Sequence, residues 1–154
     1  MATTNDMVWI DDLDEEVCWR LLNSAVVGRV GFVLDGAPVI LPVNFDVDGR
    51  TIVVRTAQTA LLEAVAGGAA VAFEIDHADE SVETGWSVLV LGLGEEVTAA
   101  SERTELESLP LHPWAPGPRD RWIRIRPTQI TGRAISRKRA DTGPGGFLPY
   151  MPPD

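Results

Sequence analysis

Residues 28–56 read GRVGFVLDGAPVILPVNFDVDGRTIVVRT, and the fold class follows from how this stretch is punctuated. Three apolar runs are separated by two Asp-Gly pairs, Asp35-Gly36 and Asp48-Gly49. Asp-Gly is a strong hairpin signal, because glycine takes the positive φ of a tight two-residue turn without a steric penalty. Val30, Phe32 and Leu34 alternate with their neighbours, as a strand with one buried face does. The reading is three strands over residues 28–34, 38–47 and 51–56, joined as an antiparallel meander.

Further along the chain, Leu61, Leu62 and Val65 mark a short helix closed by Gly67-Gly68. Strands are expected over residues 70–75 and 86–97, with Gly92 and Gly94 allowing a bend or bulge. The acidic segment 77–84 between them reads as a loop. Residues 101–109 suit a short helix led by Ser101, and 110–120 a Pro/Gly-rich loop. Two more strands are expected over 122–126 and 129–135, on either side of Pro127. Towards the N-terminus, Asp12 with Glu15 three residues on resembles a capping box. It would open a helix whose apolar face is Leu13, Val17, Cys18, Leu21 and Leu22. Residues 1–10 read as a loose arm, docked through Trp9 and Ile10.

Six to seven mostly antiparallel strands, not alternating with helices, predict a mainly β protein of barrel or sandwich type. One domain is expected over residues 1–135. Residues 136–154, rich in Pro and Gly, read as a flexible tail in which Phe147, Leu148, Tyr150 and Met151 are apolar anchors.

The 154 residues carry a formal net charge of −10. Such a chain repels phosphate backbones and anionic lipid, so nucleic acid and membrane surfaces are not expected partners. Cys18 is the only cysteine, which excludes an internal disulfide and suits the cytoplasm. No apolar run approaches the roughly 18 residues of a membrane span. All cations but Lys138 are arginines, whose planar fork suits phosphate and carboxylate.

No catalytic residue stands out. His77 and His112 lack any Cys/His ligand spacing, so no metal is expected. No nucleophile elbow, Walker loop or dinucleotide turn is present. Cys18, on an apolar helix face, reads as a packing residue rather than a nucleophile. The informative segment is Arg55-Thr56, where a strand ends just before a helix begins. A guanidinium, a hydroxyl and free helix N–H groups would converge there as a phosphate cradle. An ordinary edge arginine, with Thr59 as a plain helix cap, accounts for the same spacing. Trp86-Ser87 could offer a stacking surface beside a hydroxyl, or simply core. Trp122, Arg124 and Arg126 share one strand face, opposite Ile123 and Ile125. They could grip an anion or a ring, or pair with acids such as Glu74 and Asp76.

Taken in order, residues 27–32 (VGRVGF), Pro42-Val43-Asn44-Phe45, Ile52-Val53-Val54-Arg55-Thr56, 71–76 (VAFEID), 85–90 (GWSVLV), 113–117 (PWAPG), 124–127 (RIRP) and 130–133 (ITGR) resemble the FMN-binding split-barrel proteins related to pyridoxamine 5′-phosphate oxidase. The resemblance covers about residues 13–135 and implies a split β-barrel that forms a homodimer with two FMN sites at the interface. It implies that Pro42, Val43, Asn44 and Phe45 line the flavin ring, and that Arg55 and Thr56 hold the phosphate. Trp86 and Ser87 would lie near the ring or ribityl chain, and Trp114 would approach from the partner subunit. Many relatives carry a glycine and, two residues later, a phosphate-binding lysine; Thr59 and Leu61 stand there, and Leu91 replaces another basic position. Losing one charged contact costs on the order of 1.5–3 kcal/mol, so a lysine at 61 would be expected to tighten FMN.

The function implied is a flavin-dependent oxidoreductase acting on an unidentified small molecule. The alternatives are a reductase using the deazaflavin F420, or a cofactor-free dimer that binds a ligand or a partner. Oxidation of a phosphorylated vitamin is not expected, because a second set of basic residues for it is missing.

Overall fold

The computed structural model describes residues 7–138, apart from 58 and 116. The elements run β1 (Met7–Leu13), α1 (Glu15–Ser24), β2 (Val27–Leu34), β3 (Ala37–Asp48), β4 (Thr51–Thr56), α2 (Thr59–Val65), β5 (Ala69–Asp79), β6 (Thr84–Val97), α3 (Ala100–Glu107) and β7 (Arg121–Lys138). All strand pairings are antiparallel, and six strands close a ring in the order β7-β4-β3-β2-β5-β6 and back to β7. β6 lines one edge of β7 from Trp122 to Ile135. The other edge is shared, by β4 along residues 121–125 and by β1 along 132–138. This divided edge is the split of a split β-barrel.

The meander forms as read. Asp35 and Gly36 both have positive φ, 50° and 78°, so the first turn is the primed type that matches strand twist. Asp48 pairs with Thr51, so the second loop is Gly49-Arg50, one residue later than the Asp-Gly signal.

Four local readings are corrected. The N-terminal arm is a strand from Met7 onward, with Trp9 opposite Ser136 and Ile10 opposite Ile135. The helix cap is Asp14, whose carboxylate accepts from the Val17 N–H at 3.1 Å; Asp12 and Leu13 belong to β1. The acidic segment 77–84 is largely the far end of the β5–β6 hairpin, where both faces are solvated and the apolar alternation fades. Residues 122–135 form one strand that continues to Lys138. Pro127 is accommodated opposite a register shift at Leu91/Gly92, since a bulge does not require the missing N–H. The proposed tail anchors lie outside the described residues, and residues 136–138 continue β7.

The barrel interior holds Val30, Phe73, Ile75, Val88, Val90, Ile123 and Ile125, sealed by Cys18, Leu21 and Leu22 of α1 and Leu61, Leu62 and Val65 of α2. Phe45 meets Phe73 edge-on at 4.7 Å between centroids, a favoured aromatic geometry. Trp122 faces outward and is buried with Val53, Val97, Leu106 and Leu111 beneath α3 and the segment after it. The alternation Trp122/Ile123 thus feeds two cores from one strand. Trp122 is thus covered by its own chain.

At the bulge, a Cβ on Gly92 would stand 2.3 Å from the Arg126 carbonyl oxygen, whereas one on Gly31 would lie 3.7 Å from Ala72 Cβ. Gly92→Ala is therefore expected to destabilise the fold by about 3 kcal/mol, at the upper end of overpacking costs. Gly31→Ala should change stability by less than about 1 kcal/mol. Urea unfolding midpoints of the two variants check the contrast.

Candidate functional site

Asn44 and Arg55 become neighbours because Phe45 pairs with Val54 one step along the β3–β4 ladder. The segment 108–120 then folds over this point. The Trp114 backbone N–H donates to Asn44 Oδ1 at 2.8 Å, and the Arg55 Nε–H donates to the Arg119 carbonyl. The Arg55 guanidinium also lies over the Trp122 ring, 5.5 Å from its centroid, so a cation–π contact helps fix the fork. A pocket of about 60 Å³ results, lined by Pro42, Val43, Asn44, Arg55, Thr56, Pro113, Ala115 and Arg119. That volume exceeds what one water needs, roughly 10–15 Å³, and suits a small anionic group.

Charge makes the pocket distinctive. Arg29 is held by Glu74 and Asp76, Arg50 by Glu16, Arg121 by Glu96, Arg124 by Asp48, Arg126 by Glu95 and Arg133 by Asp12. Among the described residues, Arg20, Arg55, Arg103 and Arg119 are in no salt bridge, and of these Arg55 and Arg119 line the pocket. In a chain of net charge −10, two guanidiniums without carboxylate partners, an amide and a hydroxyl line one pocket, and groups of these types suit an anion. Arg119 was not singled out by sequence, because it lies in a loop with no periodicity to place it.

The expected site residues divide into three groups. Pro42, Val43, Asn44, Arg55 and Thr56 line the pocket together. Phe45 lies behind it, only 3% exposed, with its edge in the barrel core. Trp86 and Ser87 lie elsewhere: Trp86 pairs with Ala134 on β7 whereas Arg55 pairs with Trp122. Those β7 positions are separated by a strand contour of roughly 40 Å at about 3.3 Å per residue. One chain does not bring the two groups together. Trp86 and Ser87 instead line a groove of about 500 Å³ with Ile10, His77, Arg133 and Ile135.

The basic-aromatic face of β7 does not form a site. Trp122 is buried, Arg124 donates to Asp48 at 2.9 Å and to Thr51 at 2.6 Å, and Arg126 bonds Glu95. Glu74 and Asp76 pair with Arg29 rather than with these arginines. Burial pushes the Glu74 carboxyl above its usual range, an effect that the hydrogen bond from Arg29 opposes. Leu61 is fully buried in the main core, so a lysine there would put an ammonium among apolar side chains and not at the pocket. The second cation is Arg119, from another part of the chain. Leu91 faces outward, 39% exposed. No cluster of His, Cys, Asp or Glu suited to a metal occurs among the described residues, and no helix among them is long and apolar enough to cross a membrane.

A family model for pyridoxamine 5′-phosphate oxidase matches residues 14–134. The chain belongs to the pyridoxamine 5′-phosphate oxidase family. The uncharacterized protein Rv0080 of Mycobacterium tuberculosis is 39% identical over 130 residues, which cover 80% of this chain and 84% of that protein. Among solved structures, the FAD-binding protein of Mycobacterium smegmatis is 35% identical with a TM-score of 0.63, covering 82% of this chain and 98% of that one. A conserved protein of unknown function from Corynebacterium diphtheriae is 31% identical with a TM-score of 0.71, at the same coverage. The matched span takes in β2 to β6 and every residue of the pocket.

Cys18 is 0% exposed, and its thiol is pushed up, first by burial and then by the Asp14 and Glu15 charges. Because the thiolate is the reactive form, Cys18 in the folded protein should react with an aromatic disulfide reagent at least about a hundredfold more slowly than in urea. Absorbance of the released thiolate follows both rates.

Proposed function

We propose that this member of the pyridoxamine 5′-phosphate oxidase family is a flavin-dependent oxidoreductase whose cofactor phosphate sits between Arg55 and Arg119. The observation that carries this reading is the convergence of these two arginines, unpaired with carboxylate among the described residues, on Asn44 and Thr56. The donor set fits a phosphate: two planar forks, an amide and a hydroxyl. The FAD-binding character of the Mycobacterium smegmatis relative supports a flavin, and the sequence resemblance supports its FMN portion as the part held here. The flavin ring would lie along Pro42 and Val43. A bound flavin supplies hydride or electron acceptance, while the chain binds it, orients it and shields it from water. The absence of an acid–base pair or nucleophile at the pocket accords with that division. The substrate is a small molecule of a class left open.

The site is proposed to be shared between two copies. Outward Leu89, Leu91 and Leu93 of β6, Val33 of β2 and Ile40 of β3 are 39–71% exposed and neighbour one another across β6, β5, β2 and β3. This apolar face borders Pro42 at the pocket. A second copy covering it would bury surface that otherwise meets water. It would also deliver Trp86 and Ser87 to the flavin held by the first copy, which no single chain can do.

Arg55→Ala and Arg119→Ala should each weaken FMN binding by roughly tenfold to a hundredfold, the loss of one charge-assisted contact. Riboflavin, which lacks the phosphate, should bind both variants and the parent within about threefold of one another. Quenching of flavin fluorescence measures the set. Unchanged FMN affinity in both variants would place the phosphate elsewhere.

A further inference from the structure

The outer sheet face proposed above to meet a second copy is not apolar throughout. Strand register sets Pro42, Arg29, Glu74 and Leu89 side by side in one row across β3, β2, β5 and β6. Ile40 and Leu91 stand in the next row of the same face, because alternate residues of a strand share a face. Asp76 lies in the row on the other side, opposite Ser87. A charged cluster is therefore set among the apolar side chains of this face.

Its composition is unbalanced. Arg29 Nη1 lies 2.9 Å from Glu74 Oε2 and 3.4 Å from Asp76 Oδ1. One guanidinium serves two carboxylates, which leaves one negative charge in excess. The flanking Pro42, Leu89 and Ser87 carry no charge, and beyond Ser87 the Arg133 side chain has Asp12 at 3.8 Å. The Glu74 side chain is the most covered of the three, 29% exposed against 51% for Arg29 and 53% for Asp76. Its carboxyl is already raised, chiefly by burial, which the Arg29 hydrogen bond opposes and the Asp76 charge reinforces.

A two-fold dimer sets the same face of both copies against each other. Covering this face would withdraw the cluster from water, where an unbalanced charge is costly. It would also bring the excess negative charges of both copies into one interface. A proton on Glu74 removes the excess and leaves Arg29 paired one-to-one with Asp76. The protonated carboxyl still accepts from Arg29 through its carbonyl oxygen. We infer that the two copies associate with uptake of a proton at the Arg29–Glu74–Asp76 cluster, so that acid promotes completion of the shared site. This inference rests on the two-copy reading above and adds its regulation. The sign follows from burial: the Glu74 carboxyl holds its proton more tightly in the dimer than in the single chain. The gain in association is full below the single-chain pKa and is lost as pH rises through the dimer pKa.

Sedimentation equilibrium of the full chain as purified, with Glu74→Gln, Asp76→Asn and Glu102→Gln variants, tests it. Glu102 is exposed on α3, which packs through Leu106 on Val53 and Trp122, so its loss reports only the change in overall charge. The parent dimer should tighten at least about tenfold between about pH 8 and about pH 5.5. Glu74→Gln should associate at about pH 8 at least about tenfold more tightly than the parent and lose most of the pH response. Asp76→Asn should act in the same direction, and Glu102→Gln should keep the parent's response. A parent dimer indifferent to pH, a Glu74→Gln dimer weaker than the parent at high pH, or equal effects of Glu74→Gln and Glu102→Gln would overturn the proton linkage and leave the two-copy reading standing. Single chains at both pH values in every variant would overturn both.

Discussion

The structure depends on one strand being paired along both edges by three others. β7 is 18 residues long, far above the five or six of an ordinary strand, and a flat ladder of that length could not close a barrel. The register shift at Leu91/Gly92 supplies the curvature, since a bulge bends its strand and increases local twist. There β7 skips one residue, and the Arg126 carbonyl comes so close to Gly92 that no side chain fits. Before this bend, β7 carries β4 and the pocket at Arg55; after it, β7 carries β1 and the groove at Trp86. The bend therefore closes the barrel and separates that pocket from the groove.

The same strand explains how the arginines of this acidic protein are arranged. Ile123 and Ile125 face the barrel while Trp122 and Arg124 face away. Trp122 anchors the segment after α3 and forms the platform for Arg55. Arg124, nearly buried, is neutralised by Asp48 and donates a further hydrogen bond to the Thr51 hydroxyl at the second hairpin. Six arginines are tied to carboxylates on neighbouring elements, where exposed pairs contribute little to stability. Of the described arginines outside these pairs, Arg55 and Arg119 meet at one pocket, and the loop carrying Arg119 is held by the bonds of Trp114 N–H to Asn44 and of Arg55 to the Arg119 carbonyl.

Much of this was legible in sequence where local physics decides. The meander, α2 with its terminal glycines and the tolerance of β6 for a bulge all follow from turn chemistry and apolar period. Pro42, Val43, Asn44, Arg55 and Thr56 were placed together through resemblance, and the ladder brings them to one pocket. What was not legible is non-local. The edge pairing of β1 is written in the partner strand β7, not in residues 7–13. The continuation of β5 past Ile75 occurs where no buried face enforces alternation. Arg119 enters the site through a loop whose path is set by Asn44 and Arg55, and Leu61 points inward because α2 seals the barrel, which no spacing rule reveals.

The central claim is that a flavin is bound between two copies of this chain, with its phosphate on one and its ring meeting Trp86 and Ser87 of the other. Sedimentation velocity of the flavin-loaded protein, recorded at both the protein and the visible flavin absorbance, tests it most directly. The account predicts that the flavin colour moves with a species of twice the chain mass at one flavin per chain. Colour moving with a single-chain species, or protein sedimenting without colour, would contradict it.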